Sequence, residues 1–132
     1  MKTFWFLVLL CFTAAARAET PNEGAKAILG LVQAENYAEL AHTRYAEWYK
    51  AERDKIDPAE AVEKLAAIWK KGRPVLLAAY EQMTTAEFTI GKNETPQPGE
   101  TGEIATTKIT IKGKTMNFTL YRLKTARWGF RQ

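Results

Sequence analysis

The chain of 132 residues contains no serine, only two aspartates, one histidine and one cysteine. Without serine, serine hydrolase chemistry is closed to it, and with His42 as the only imidazole, a nucleophile and base pair has a single possible base. A zinc site of ordinary composition draws on several thiolates and imidazoles, which one of each cannot supply. No glycine-rich phosphate loop, internal repeat or low-complexity tract is visible, so nucleotide binding has no support. No cofactor and no metal is expected.

What is present begins with a leader. Lys2 precedes the apolar run Phe4 to Phe12, and Ala14, Ala15, Ala16, Arg17 and Ala18 follow. A charged start, a short apolar core and a small-x-small exit form a secretory signal peptide over residues 1–18, with Ala16 and Ala18 in the cleavage positions and Glu19 as the first mature residue. The run is too short to span a bilayer. Large neighbours, Leu10 and Phe12, argue against lipid attachment at Cys11. The expected product is one domain, residues 19–132, exported to the periplasm or secreted, with no membrane attachment after cleavage. Cleavage removes the only cysteine, so packing must stabilise the domain without disulfides. It also leaves 17 basic against 15 acidic side chains, a net charge of +2 that, together with export, makes nucleic acid a poor partner. The charge is uneven: residues 104–132 carry Lys108, Lys112, Lys114, Arg122, Lys124, Arg127 and Arg131 with no acid.

Helical signals fill the first half. Ile28, Leu31 and Val32 have helical spacing between Asn22 and about Glu35, loosened by Gly24 and Gly30. Asn36 with Glu39 forms a capping-box pattern, and Tyr37, Leu40, Ala41, Tyr45, Trp48 and Tyr49 continue as one aromatic-rich helical stripe. Large aromatics at that spacing pack a core against a sheet, and their hydroxyls and indole N–H also suit a cavity wall. Asp57-Pro58-Ala59-Glu60 opens a further helix that runs to Lys70-Lys71, with Gly72 as a left-handed exit. Residues 75–83 read as a short helix, or as the start of a bent strand; the helix is preferred, followed by a strand at 85–91 and a polar loop from Gly91 to Gly102.

The last 30 residues read as antiparallel sheet. Ala105, Thr107, Ile109 and Ile111 alternate with Thr106, Lys108, Thr110 and Lys112, the period of a strand buried on one face. A Gly113-Lys114 turn sets Ile111 opposite Met116 and Ile109 opposite Phe118. For the closing strand two registers are open. A two-residue turn at Thr125-Ala126 pairs Leu123 with Trp128 and Tyr121 with Phe130, giving an outer apolar patch of Ile104, Tyr121, Leu123, Trp128 and Phe130 that suits a homodimer or partner interface. A three-residue loop pairs Arg122 with Trp128 and Leu120 with Phe130, which makes both aromatics core. The first is preferred because the helix-covered face already has Met116, Phe118 and Leu120 to fill it.

The fold class is therefore α+β: three or four N-terminal helices on a curved antiparallel sheet of about four strands. The stretch Val32 to Ala41, the Trp69 to Gly72 helix exit and Ala126-Arg127-Trp128-Gly129-Phe130 resemble the nuclear transport factor 2-like, cystatin-like cone, and most of all its small exported bacterial members. That resemblance implies helices in the concave side of the sheet with a pocket between them. Enzymes of the superfamily, such as ketosteroid isomerases and polyketide cyclases, use an Asp, Glu or His there, but no residue of this chain matches those catalytic sets.

Three functional expectations follow. The first is a non-catalytic pocket lined by Tyr45, Trp48, Tyr49 and Phe118 that receives a small apolar ligand or a segment of a protein partner. The second is an isomerase- or cyclase-like enzyme with His42 or Glu52 as base, since burial beside rings raises a carboxyl pKa; Glu35 is a further carboxylate near the stripe. The third is a basic sheet that docks on an anionic envelope polymer or an acidic partner.

Overall fold

The structure is a computed structural model that describes residues 18–48 and 55–131. Thr20 opens the first helix, α1 (Pro21–Gln33), with a full capping box: its hydroxyl accepts from Glu23 N, and the Glu23 carboxylate accepts from Thr20 N. Pro21 occupies the first turn, where its missing N–H costs nothing. The helix thus starts a residue earlier than apolar spacing implies, and Thr20-Pro21-Asn22-Glu23 is the signal that spacing alone overlooks. Gly24 does not loosen it, because a Cβ there would stand 2.6 Å from Trp128 Cβ and hold the helix off the sheet. At the far end Glu35 (φ 55) donates to Val32 O and Asn36 to Leu31 O, the paired bonds of a Schellman ending. Glu35 is a helix terminator rather than a buried base.

Helix α2 (Tyr37–Arg44) takes Asn36 as N-cap. The aromatic stripe does not continue along it: Tyr45 is extended and bridges Phe130 in parallel. Phe130 N donates to Arg44 O and Ala46 N to Phe130 O, replacing the next helical bonds. Helix α3 (Pro58–Lys71) starts as expected, Asp57 accepting from Ala59 N. Its end differs, because Gly72 has φ −88 and is at once the last cap of α3 and the first of α4 (Arg73–Met83). Pro74, which cannot donate to Lys70 O and would collide with it, forces the break. Residues 75–83 are helix, not strand. Helices α1 and α4 are clamped at both ends: Arg73 donates to Val32 O and Gln33 O, and the Asn22 amide to Met83 O, Thr84 O and Ala86 O. Both clamps donate to carbonyls in the last turn of a helix or just past it.

Four strands follow, β1 (Thr89–Lys92), β2 (Glu100–Ile111), β3 (Lys114–Leu123) and β4 (Trp128–Gly129), antiparallel in the order β1-β2-β3-β4 and not closed into a barrel. The hairpin register is two residues from the expected one: Ile111 pairs with Lys114, Ile109 with Met116 and Thr107 with Phe118. Lys112 (φ 51) and Gly113 (φ 77) both take left-handed backbone, which makes them the turn. A slip of two preserves the faces, so Ala105, Ile109, Ile111 and Leu120 still enter the core. The closing hairpin overturns the preferred register. Arg122 pairs with Trp128 and Tyr121 with Gly129, and Ala126 (φ 67) ends a three-residue loop. Trp128 is 1% and Phe130 6% exposed, so the outer patch expected from Ile104, Tyr121, Leu123, Trp128 and Phe130 is not assembled. Tyr121 and Ile104 do face each other across β2 and β3, half-buried, and Leu123 is buried.

The space between helices and sheet is filled by rings. Trp69 lies 5.6 Å from both Tyr45 and Phe130 between centroids, Tyr37 lies 6.2 Å from Trp69, and Tyr80 lies 6.2 Å from Phe130. Burial pushes the Tyr80 hydroxyl well above its ordinary pKa. Tyr37 Oη is buried there without a hydrogen-bond partner.

Candidate functional site

Outside that filled interior, three stretches enclose a crevice of about 310 Å³. The end of α2 and the segment after it supply His42, Thr43, Tyr45, Ala46 and Trp48, the loop before β2 supplies Pro98 and Gly99, and the β3–β4 turn supplies Leu123, Lys124 and Thr125. Lys124 N donates to Gly99 O (3.0 Å), which ties two of these walls together. Gly129 brings in the third. A Cβ there would collide with Arg44 O and Leu123 Cδ1, so only glycine lets the residues after α2 lie against the end of the sheet.

The crevice has an apolar wall and a polar rim. The His42 imidazole is exposed and lies against the Trp48 ring, centroids 4.4 Å apart and planes inclined by 31°. Burial, and then the charge of the neighbouring Glu47 carboxylate, push the Tyr45 pKa up to about 12. Tyr45 is therefore neutral at physiological pH. Lys124 is exposed at the rim. With Trp48 and Leu123 each only 7% exposed, this surface offers a small apolar area beside the half-buried Tyr45 and a cation, which is suited to holding a small apolar group that carries negative charge. Among the described residues no cluster of His, Cys, Asp and Glu could hold a metal ion.

Of the residues expected to line one pocket, Tyr45 and Trp48 come together with His42, and Phe118 does not. It lies opposite Thr107, half-buried at the other side of the core. Tyr49 and Glu52 lie outside the described residues. A larger, open groove of about 750 Å³ runs over Ala86, Glu87, Thr89, Thr106, Thr107, Lys108, Asn117 and Thr119. Its lining is the polar face of an antiparallel sheet, which normally meets water, so the smaller aromatic crevice is the better site.

Sequence reading missed the polar fastening around the crevice. Arg131 makes a two-pronged pair with the buried Glu100 and lies 4.2 Å from the Tyr121 ring centroid. Arg122 bonds Glu103, Glu19 O and Ala126 O, with its guanidinium 4.6 Å from the Trp128 ring centroid. Two of the seven basic groups of the sheet are thus spent inside the fold, while Lys108, Lys112 and Lys114 are exposed. No protein-family profile matches the chain, and neither the curated proteins nor the solved structures show a significant similarity to it.

Proposed function

We propose that this protein is an exported, non-catalytic binding domain, its leader at residues 1–18 and its mature part at 19–132, whose crevice receives an apolar segment of a partner protein or a small apolar ligand. The observation that carries this reading is the position of Tyr45, Trp48 and Leu123 around a crevice that the core does not fill, with Lys124 at its rim. The four helices on a four-stranded antiparallel sheet are compatible with the nuclear transport factor 2-like cone, and placement among its exported bacterial members is part of the proposal. An isomerase-like role for His42 has less behind it. The ring is exposed and lies against Trp48.

Decanoate is a suitable probe because it joins an apolar chain to a carboxylate that Lys124 can meet. Titrated into the isotope-labelled mature domain, it is expected to shift the resonances of His42, Trp48, Leu123 and Lys124, and Trp48→Ala to weaken binding about tenfold, the loss of one buried ring. Shifts confined to other faces, or none, overturn the reading.

A further inference from the structure

Glu19 is fastened more heavily than any helix cap requires. Its carboxylate takes both prongs of Arg44 (2.6 and 3.0 Å) and the backbone N–H of Trp128 (2.9 Å). Its carbonyl accepts from the Trp128 indole (3.0 Å) and from Arg122 (3.1 Å). Arg44 is itself buried and also donates to Trp128 O. One residue on, Thr20 is locked as the N-cap of α1; one residue before, Ala18 is exposed. An exposed residue thus meets a held one across a single peptide bond, the one between Ala18 and Glu19.

We propose that this bond is the leader-processing site and that the folded domain closes it. The inference rests on the leader reading given above. Hydrolysis adds one water across the bond: Ala18 leaves with the leader as a new carboxylate, and Glu19 keeps a new α-ammonium group. An endopeptidase must draw the residues on both sides of the cut into an extended strand in its own site. In the folded domain, Glu19 can enter such a site only after its bonds to Arg44, Trp128 and Arg122 are broken. Cleavage therefore belongs to the unfolded, translocating chain, and folding afterwards buries the fresh end. The same bonds shield the mature terminus from aminopeptidases, which also need the first residue free. Glu19 is thus both the product of processing and the pin that makes it final.

The test uses the full 132-residue chain, folded without export, and a purified leader peptidase with mass spectrometry of the products. Arg44→Met leaves the cleavage sequence untouched and removes the paired cation; Trp128→Phe keeps a ring in the core and removes the indole donor, so it serves if Arg44→Met does not fold. Losing the charged pair raises the open population more than about tenfold and losing the neutral indole bond about fivefold, so Arg44→Met is expected to be cut more than about ten times and Trp128→Phe about five times faster than the wild-type chain. In every form the product should begin at Glu19. A product that begins elsewhere, or no cut even in heat-unfolded chain, overturns the leader reading. Cutting at Glu19 with equal rates for wild type and variants leaves the leader in place and overturns the closure.

Discussion

The two ends of the sheet are held by different means. At the end where β4 meets α1 and α2, Trp128 is enclosed by a carboxylate, two guanidinium groups and backbone partners, and hardly any of its surface meets water. At the opposite end, the first four residues of β3 are all exposed, Met116 is 40% exposed, and Lys112 holds left-handed backbone that suits it poorly. Polar geometry fastens one end, and the hairpin's own ladder the other, helped by the Gln82 amide, which exchanges two bonds with the backbone of Thr110. Local opening is cheapest where few buried contacts must be given up, so the hairpin end should open first. Hydrogen exchange should show Trp128 N protected far longer than Thr115 N.

Removing the centre of the fastened end should have the largest effect. Trp128→Ala takes away a fully buried indole and its hydrogen bond to Glu19 O, and should cost about 3–5 kcal/mol, with the melting temperature collapsing accordingly. Next comes Arg44→Met, which leaves Glu19 without its cation. Breaking a buried pair from one side costs about 3 kcal/mol, and the fifth of the Glu19 side chain that meets water should bring this nearer 2.

The same pair predicts a pH dependence. Burial raises the Glu19 pKa, but the Arg44 hydrogen bonds, the Trp128 N–H, and the charges of Arg44 and Arg127 outweigh it and hold the carboxyl below its ordinary value. A carboxylate depressed in the folded state stabilises the fold above its unfolded pKa of about 4.3, and that stability is lost as pH falls through the folded pKa. The melting gap between wild type and Glu19→Gln should therefore be flat near pH 7 and close progressively below about pH 4.

At the loose end the effects should be small and of opposite sign. Lys112→Asn gives the turn an Asn-Gly pair, which favours left-handed backbone at both positions, and should stabilise by about 0.5–1 kcal/mol without altering exchange at Trp128. Met116→Thr should move stability by less than about 0.5 kcal/mol, since the side chain is far from buried. If Met116→Thr cost as much as Arg44→Met, the contrast between the ends would be wrong.

Local chemistry was legible in the sequence wherever neighbours along the chain decide the outcome. Asp57-Pro58 and Asn36 start helices because the cap and its N–H partners lie within three residues. The inward faces of β2 and β3 were readable despite the wrong turn, because alternation survives a two-residue slip. What failed depends on residues that adopt uncommon backbone or meet across long separations. Ala126 takes a left-handed position that glycine or asparagine usually fills, so the three-residue loop left no trace in composition. The end of α2 is dictated by Phe130, more than 80 residues later. The crevice was half visible: Tyr45, Trp48 and His42 share a local pattern, while Leu123, Lys124 and Pro98 reach it only through the tertiary fold.

The short bridge between Tyr45 and Phe130 has a consequence for association. It covers the β4 edge, so that among the described residues the outer side of β1 is the open ladder, four exposed residues with Ile90 half in water. A sheet with two open edges can add copies without limit and grow into a fibre; one with a single open edge can pair only once, because the first partner consumes the edge of both molecules. Capping one side with the chain's own backbone therefore leaves the described sheet a single edge through which two copies could pair.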